Sequence, residues 1–281
     1  MSTYILWDID GTLIYNTPSA GGLYLESIEQ VTGVRPTVPV PNPHGMTEGE
    51  LIAALLEING LDVSRIGEVL YQLDILARDE YERGRSRDAV AGADAALAAV
   101  TGRGWTNALL TGNGPNRARY KLLAAGIDPA LFDWEHSYFG HESPTRHHLT
   151  AGARDALSGH ASFIIGDTPN DGRAADSAGI PFVAVATGIY SAEELSETSA
   201  LTVVDDLESG LDAVLDAIDG AIPPIIAPAV LEVLPGEPTG LISLPDHADT
   251  IDVPRLYAVE PISDGPDTGD VQSIDPASAL R

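Results

Sequence analysis

The chain has 281 residues, enough to bury one large or two modest cores, and its 44% apolar and 20% charged composition is that of an ordinary globular protein. A formal net charge of −27, from 42 acidic residues against 15 lysines and arginines, repels nucleic acid and anionic membrane surfaces and argues against both as partners. The absence of cysteine excludes disulfides, thiol catalysis and thiolate metal sites.

Lys121 is the only lysine, so few residues can act as a catalytic cation, and a phosphorylated ligand would need a locally positive site. The N-terminus lacks the basic start and long apolar core of a signal peptide. The longest apolar stretch, 221–231, is broken by Pro223, Pro224 and Pro228, short of the roughly 20 residues of a membrane span. A soluble, cytoplasmic protein is expected; the oligomeric state is not legible.

Taken in chain order, residues 4–7 form a short apolar run ending in Asp8-Ile9-Asp10-Gly11-Thr12. Residues 17–87 then read as helices at about 22–32, 47–59 and 64–84, with a proline-rich loop over 35–44. A helical pattern at 93–100 leads to a second apolar run, 107–110, which ends in Thr111-Gly112-Asn113-Gly114. Helical patterns at 116–125 and 146–157 precede a third run, 162–165, ending in Gly166-Asp167-Thr168-Pro169-Asn170-Asp171. Further runs at 182–186 and 201–204 end at Thr187-Gly188 and Asp205-Asp206. Strands alternating with helices imply an α/β fold with a Rossmann-like parallel sheet, helices on both faces, and ligands beyond the carboxyl ends of the strands. The expected organisation is a core from 1–16 and 88–220, a helical cap inserted at 17–87, and an acidic, proline-rich, extended or weakly ordered tail at 221–281.

Asp8 and Asp10 are two apart, so on a strand they face the same side. Such a pair suits two-step phosphoryl transfer, one carboxylate attacking phosphorus and the other serving as general acid and base. Two solvated acids in a turn would show the same spacing. Thr111, followed by Gly112 and Asn113 at a helix start, offers a hydroxyl and free amides as an anion cradle, or is simply a helix cap. Asp167 and Asp171, with Asp8, would supply oxygen donors for a hard cation such as Mg²⁺; Asp171 also reads as a helix cap.

The segment Asp8-Ile9-Asp10-Gly11-Thr12-Leu13 resembles the first signature of the haloacid dehalogenase-like (HAD) hydrolases, in particular their phosphatase branch with a small helical cap, similar to phosphoglycolate phosphatases. The resemblance spans about 4–215. It implies Asp8 as nucleophile, Asp10 as general acid/base and, through its carbonyl, a metal ligand, Thr111 as a phosphoryl-binding hydroxyl, and Asp167 and Asp171 as magnesium ligands. The family's usual lysine before the acidic signature is missing. Lys121 lies at the wrong place, and Arg146 fits the spacing, although it also reads as a surface helix arginine. His147 and His148 read as surface residues. The loop His44-Gly45-Met46-Thr47-Glu48 is where a substrate contact is expected, with Thr47 as candidate, though a turn and a threonine-capped helix explain it equally well.

These implications describe a magnesium-dependent phosphatase acting on small phosphorylated metabolites. The alternatives are a phosphomutase of the same family, against which Thr12 stands in place of a branched aliphatic residue, and a non-enzymatic binding or regulatory module on the same core.

Overall fold

A computed structural model describes residues 2–17 and 21–222. Six parallel strands form one sheet: β1 (Thr3–Trp7), β2 (Thr106–Thr111), β3 (Tyr138–Phe139), β4 (Ala161–Gly166), β5 (Phe182–Val185) and β6 (Val203–Val204), in the order β3-β2-β1-β4-β5-β6. The central position of β1 follows from its side chains, which are buried on both faces. Ile5 and Trp7 pack with α4 (Ala93–Gly102), α5 (Pro115–Ala124) and α8 (Leu207–Ala221). Tyr4 and Leu6 pack with α6 (Arg146–Ala156) and α7 (Pro169–Ala178) on the other face. Each buried aliphatic or aromatic side chain contributes about 1.5–3 kcal/mol, so a strand sealed on both sides is the anchor of the sheet. The indole N–H of Trp7 donates to Asn107 Oδ1 at 2.9 Å, which satisfies the one polar atom that Trp7 takes into the core.

The fold is therefore the Rossmann-like α/β architecture expected, with two differences of detail. The edge strand β3 was not foreseen: two half-buried residues pair with Leu110 and Thr111, too short a run to leave a periodic pattern. The run expected at 201–204 narrows to Val203–Val204, because a strand at the far edge has a partner on one side only.

Between β1 and α4 lie α1 (Gly22–Thr32), α2 (Glu48–Ile58) and α3 (Ile66–Glu82). They bury their own apolar cluster around Ile28, Ile52, Leu56 and Val69. A 3-10 turn at Val63–Arg65, capped by Asp62 accepting from the Ser64 amide at 2.9 Å, precedes α3. α3 rests on α5, where Tyr81 and Tyr120 stack with ring centroids 5.6 Å apart. From residue 223 onward the acidic, proline-rich segment expected at 221–281 lies outside the described residues. Among the described residues no helix is long and apolar enough to cross a membrane.

The order of the sheet sets the site. Chain building runs outward from β1 to β2 and β3 on one side and, through β4, to β5 and β6 on the other. A crevice opens at the carboxyl ends of the strands where the direction reverses. The three polar clusters after β1, β2 and β4 all end there.

Candidate active site

The first cluster grows directly out of β1. The Asp8 amide donates to Ile165 O at 2.9 Å, so Asp8 is still held by the ladder to β4. Ile9 turns into the core, and its carbonyl accepts from both Leu13 and Ile14 at 3.0 Å, closing a tight loop. Gly11 makes that loop possible with φ of 86°, a conformation costly for any residue with a Cβ. Asp8 is left buried at the sheet edge, 8% exposed. Burial lifts its carboxyl to about 7; Arg146 opposes the rise, and Asp171 and Asp10 add to it.

After β4, Asp167 is held in a narrow space, where a Cβ at either Gly11 or Gly188 would overlap its carboxylate. The Thr12 hydroxyl donates to Asp167 Oδ1 at 3.4 Å. Desolvation, reinforced by Asp8 and Asp171, pushes Asp167 well above the ordinary carboxylate range. Asp171 resolves its two sequence readings by dividing its oxygens. Oδ2 accepts from the Thr168 hydroxyl at 2.7 Å and the Thr168 amide at 3.2 Å, making the capping box of α7. Oδ1 is buried, 2.8 Å from Arg146 Nη2 but accepting no hydrogen bond with proper geometry.

Arg146, at the first turn of α6, is 2% exposed and not a surface arginine. Its Nη2 donates to Leu110 O at 2.8 Å and lies 3.4 Å from Asp8 Oδ1. His147 and His148, its neighbours, are exposed.

Asp8, Asp167 and Asp171 each place a carboxylate oxygen within 4.8 Å of the others. Three buried carboxylates with one guanidinium leave an excess of negative charge, and one of the oxygens has no hydrogen-bond donor. Buried charge of this kind is relieved either by the protons that the raised Asp8 and Asp167 carboxyls hold or by a compensating cation, and an all-oxygen donor set fits a hard divalent ion such as magnesium. These residues therefore could hold a metal. The carboxylate of Asp10 is not part of this cluster. It pairs with Lys121 and accepts from Asn113 Nδ2 at 2.8 Å, and these contacts hold it down at about 2 against its burial.

The cradle after β2 differs from the sequence expectation. The Thr111 hydroxyl, fully buried, accepts from Asn113 Nδ2 at 2.8 Å and from the Asn113 amide at 3.3 Å. The amides beyond it are not all free. Gly114 N donates to Glu48 Oε2 at 2.7 Å, so a carboxylate from α2 occupies the N-terminus of α5. Gly112 O accepts from the Glu48 amide at 2.8 Å, which ties Gly112 to the inserted helices. Thr47, the candidate substrate contact, serves as the N-cap of α2. It is fully buried, gives its hydroxyl proton to Ser143 O at 2.7 Å, and accepts from the Glu50 amide at 3.1 Å in the capping box of α2. Of the two sequence readings of this loop, the structure has the capped helix.

Two further cations line the site among the described residues. Lys121, set aside for its position, reaches Asp10 and donates to Asn113 Oδ1 at 2.6 Å; burial lowers its ammonium to about 8. Arg117 donates to Glu48 Oε1 at 2.7 Å and stacks on the Tyr24 ring with its guanidinium carbon 4.3 Å from the centroid. Their signal was the four-residue spacing, which puts both on one face of the helix after Thr111. A cleft of about 780 Å³ opens from Asp10, Lys121, Asp167 and Thr168 toward the inserted helices and the 39–46 loop.

A parallel α/β sheet with three carboxylates gathered at its switch point is the class that this geometry defines. Residues 143–209, which contain Arg146, Asp167 and Asp171, match the HAD-hydrolase-like family model. No curated protein matches the chain. The solved structure of a hydrolase from Pseudomonas syringae is 19% identical, with 77% of this chain and 99% of that one covered and a TM-score of 0.58. A HAD hydrolase of family IA from Entamoeba histolytica is 16% identical, covering 78% and 100%, with a TM-score of 0.56. A β-phosphoglucomutase from Clostridium difficile is 15% identical, covering 78% and 98%, with a TM-score of 0.55. At these identities the likeness is one of fold. Beyond the fold, the similarity to the HAD-hydrolase-like family covers residues 143–209, the segment that carries Arg146, Asp167 and Asp171.

Proposed function

We propose that the chain is a magnesium-dependent phosphatase that hydrolyses phosphate monoesters through an aspartyl-phosphate on Asp8. The observation that carries this reading is the meeting of Asp8, Asp167, Asp171 and Arg146 at the carboxyl edge of the sheet. Asp8, Asp167 and Asp171 would hold the metal, with the Asp10 carbonyl assigned as a further ligand by the family resemblance. When bound, magnesium would neutralise charge between the nucleophile and the phosphoryl group so that two anions can approach.

Asp8 attacks phosphorus while the ester oxygen leaves and takes a proton. Arg146, fixed by Leu110 O, steadies the nucleophile and the equatorial oxygens, and the Thr111 hydroxyl donates to one of them. Asp10 stands two residues from the nucleophile, in contact with Lys121 and Asn113. In the role that the family resemblance assigns to it, Asp10 takes a proton from solvent and gives it to the leaving alkoxide, while Lys121 keeps its own charge. The resulting Asp10 carboxylate then removes a proton from water, whose oxygen attacks the aspartyl-phosphate and frees phosphate.

Release of inorganic phosphate from an aryl phosphate is the test. We expect turnover with magnesium, loss with chelator, and a fall of at least about a thousandfold in Asp8→Asn, as for removal of a covalent nucleophile. Full activity in that variant would falsify the nucleophile assignment. An isomerised sugar phosphate without free phosphate would mark a mutase instead.

A further inference from the structure

The cleft above the acidic cluster is far larger than a phosphate group with a two- or three-carbon alcohol, and its walls are chemically one-sided. About 780 Å³ is the size of sites that take ligands of twenty or more heavy atoms. Leu25, Val40, Pro43, Met46, Leu51 and Leu55 line it. Five of these six are half-buried, so they still offer apolar surface to the cleft. Tyr24, with Arg117 on its ring, adds an aromatic wall.

The polar lining is mostly committed. Thr17 accepts from Arg87 Nη1 at 2.7 Å. Arg117 is engaged by Glu48 and Tyr24, and Lys121 by Asp10 and Asn113. Arg117 Nη2 has no hydrogen-bond partner but is buried away from the cleft surface, so a carboxylate on the leaving group, as in phosphoglycolate, finds no exposed and unpaired lysine or arginine nitrogen among the described residues of these walls. Among the described residues the several hydroxyls of a sugar would find few side-chain partners beyond Asn16, His44 and the Tyr24 hydroxyl, and each buried hydroxyl left unpaired is costly.

Resting on the phosphatase reading, we infer that the substrate is a phosphate monoester whose alcohol carries a bulky apolar body, an alkyl chain or ring of about six carbons or more, seated between α1, α2 and the 39–46 loop. Burying that body supplies the binding energy, and the carboxylates at the floor receive only the phosphate.

The test is a series of butyl, hexyl and octyl phosphate beside phosphoglycolate and glucose 6-phosphate, with magnesium. kcat/KM is expected to rise about fourfold per methylene, the gain from burying one CH₂, and to exceed that of both polar esters. A flat series, or a preference for phosphoglycolate, overturns the inference while leaving the phosphatase reading intact. Leu51→Gln should reduce the octyl rate more than the butyl rate; equal reductions would remove Leu51 from the wall. Binding of methyl-, butyl- and octylphosphonate, measured by calorimetry, separates the cleft from the chemistry. Affinity rising with chain length supports the apolar seat even if no ester is cleaved, in which case the phosphatase reading alone fails. Equal affinities reject the seat.

Discussion

Arg146 sits where two carboxylates converge and almost no water reaches. Removing it leaves Asp8 and Asp171 facing each other in a buried site with no counter-charge. Loss of one partner from such a pair costs about 3–5 kcal/mol. Arg146→Ala is therefore expected to lower the melting temperature of the metal-free protein by many degrees, and magnesium should recover part of that loss. Arg146→Lys keeps a charge but cannot reach Leu110 O and Asp8 from one rigid plane, so stability should fall less than activity. Equal melting temperatures for wild type and Arg146→Ala in chelator would show that the guanidinium does not hold this cluster. At this scale the sequence was readable wherever a residue follows an apolar run. Asp8, Thr111 and Asp167 stand at strand ends, and the position of each at the sheet edge comes from its strand. Lys121 and Arg117 were not readable in this way. Their approach to Asp10 and Glu48 depends on how α5 is turned and on which helix covers it, and neither is a local property of the chain.

At the scale of elements, the strand-end loops shape the acidic site as much as the strands do. The loop after β5 crosses above Asp167, with the Thr187 hydroxyl donating to Gly11 O at 2.5 Å and Gly188 packed on the carboxylate. A methyl group at Gly188 would occupy the place of Asp167 Oδ2. Gly188→Ala is expected to keep the melting transition within a few degrees, because the loop lies outside the core, yet to weaken magnesium at least about tenfold by displacing one ligand. Titration calorimetry would show it, and unchanged affinity would remove Asp167 from the metal site. The run 182–186 and its Thr-Gly ending were visible in the sequence, but that this ending folds back onto the first loop was not. Sequence periodicity also found the inserted helices, because each buries an apolar stripe. It could not show that Glu48 reaches across to cap α5 and pair with Arg117, since a glutamate in the first turn of a helix looks like ordinary capping.

Over the whole molecule, the charge of −27 makes the buried acids more costly, and this gives the metal-free protein a definite pH dependence. Asp8 is raised to about 7 and Asp167 well above 3.8, so over this range the folded state binds protons more tightly than the unfolded chain. Their contribution to stability is complete below about 4 and is lost as pH rises toward 7 and beyond. Asp10, held at about 2 by Lys121 and Asn113, acts in the opposite sense: its contribution is present above about 4 and disappears as pH falls toward 2. Between pH 5 and 8 the first two therefore set the slope, and the melting temperature in chelator should fall as pH rises. Magnesium binds only when these carboxylates are ionised, so the stabilisation it gives by mass action should grow over the same interval. The gap between melting temperatures with and without magnesium is thus expected to be small near pH 5 and to widen toward pH 8. Asp8→Asn removes one of the titrating groups and should flatten the metal-free slope. A gap independent of pH, or a metal-free protein that becomes more stable from pH 5 to 8, would mean that these three carboxylates are not a shared cation site.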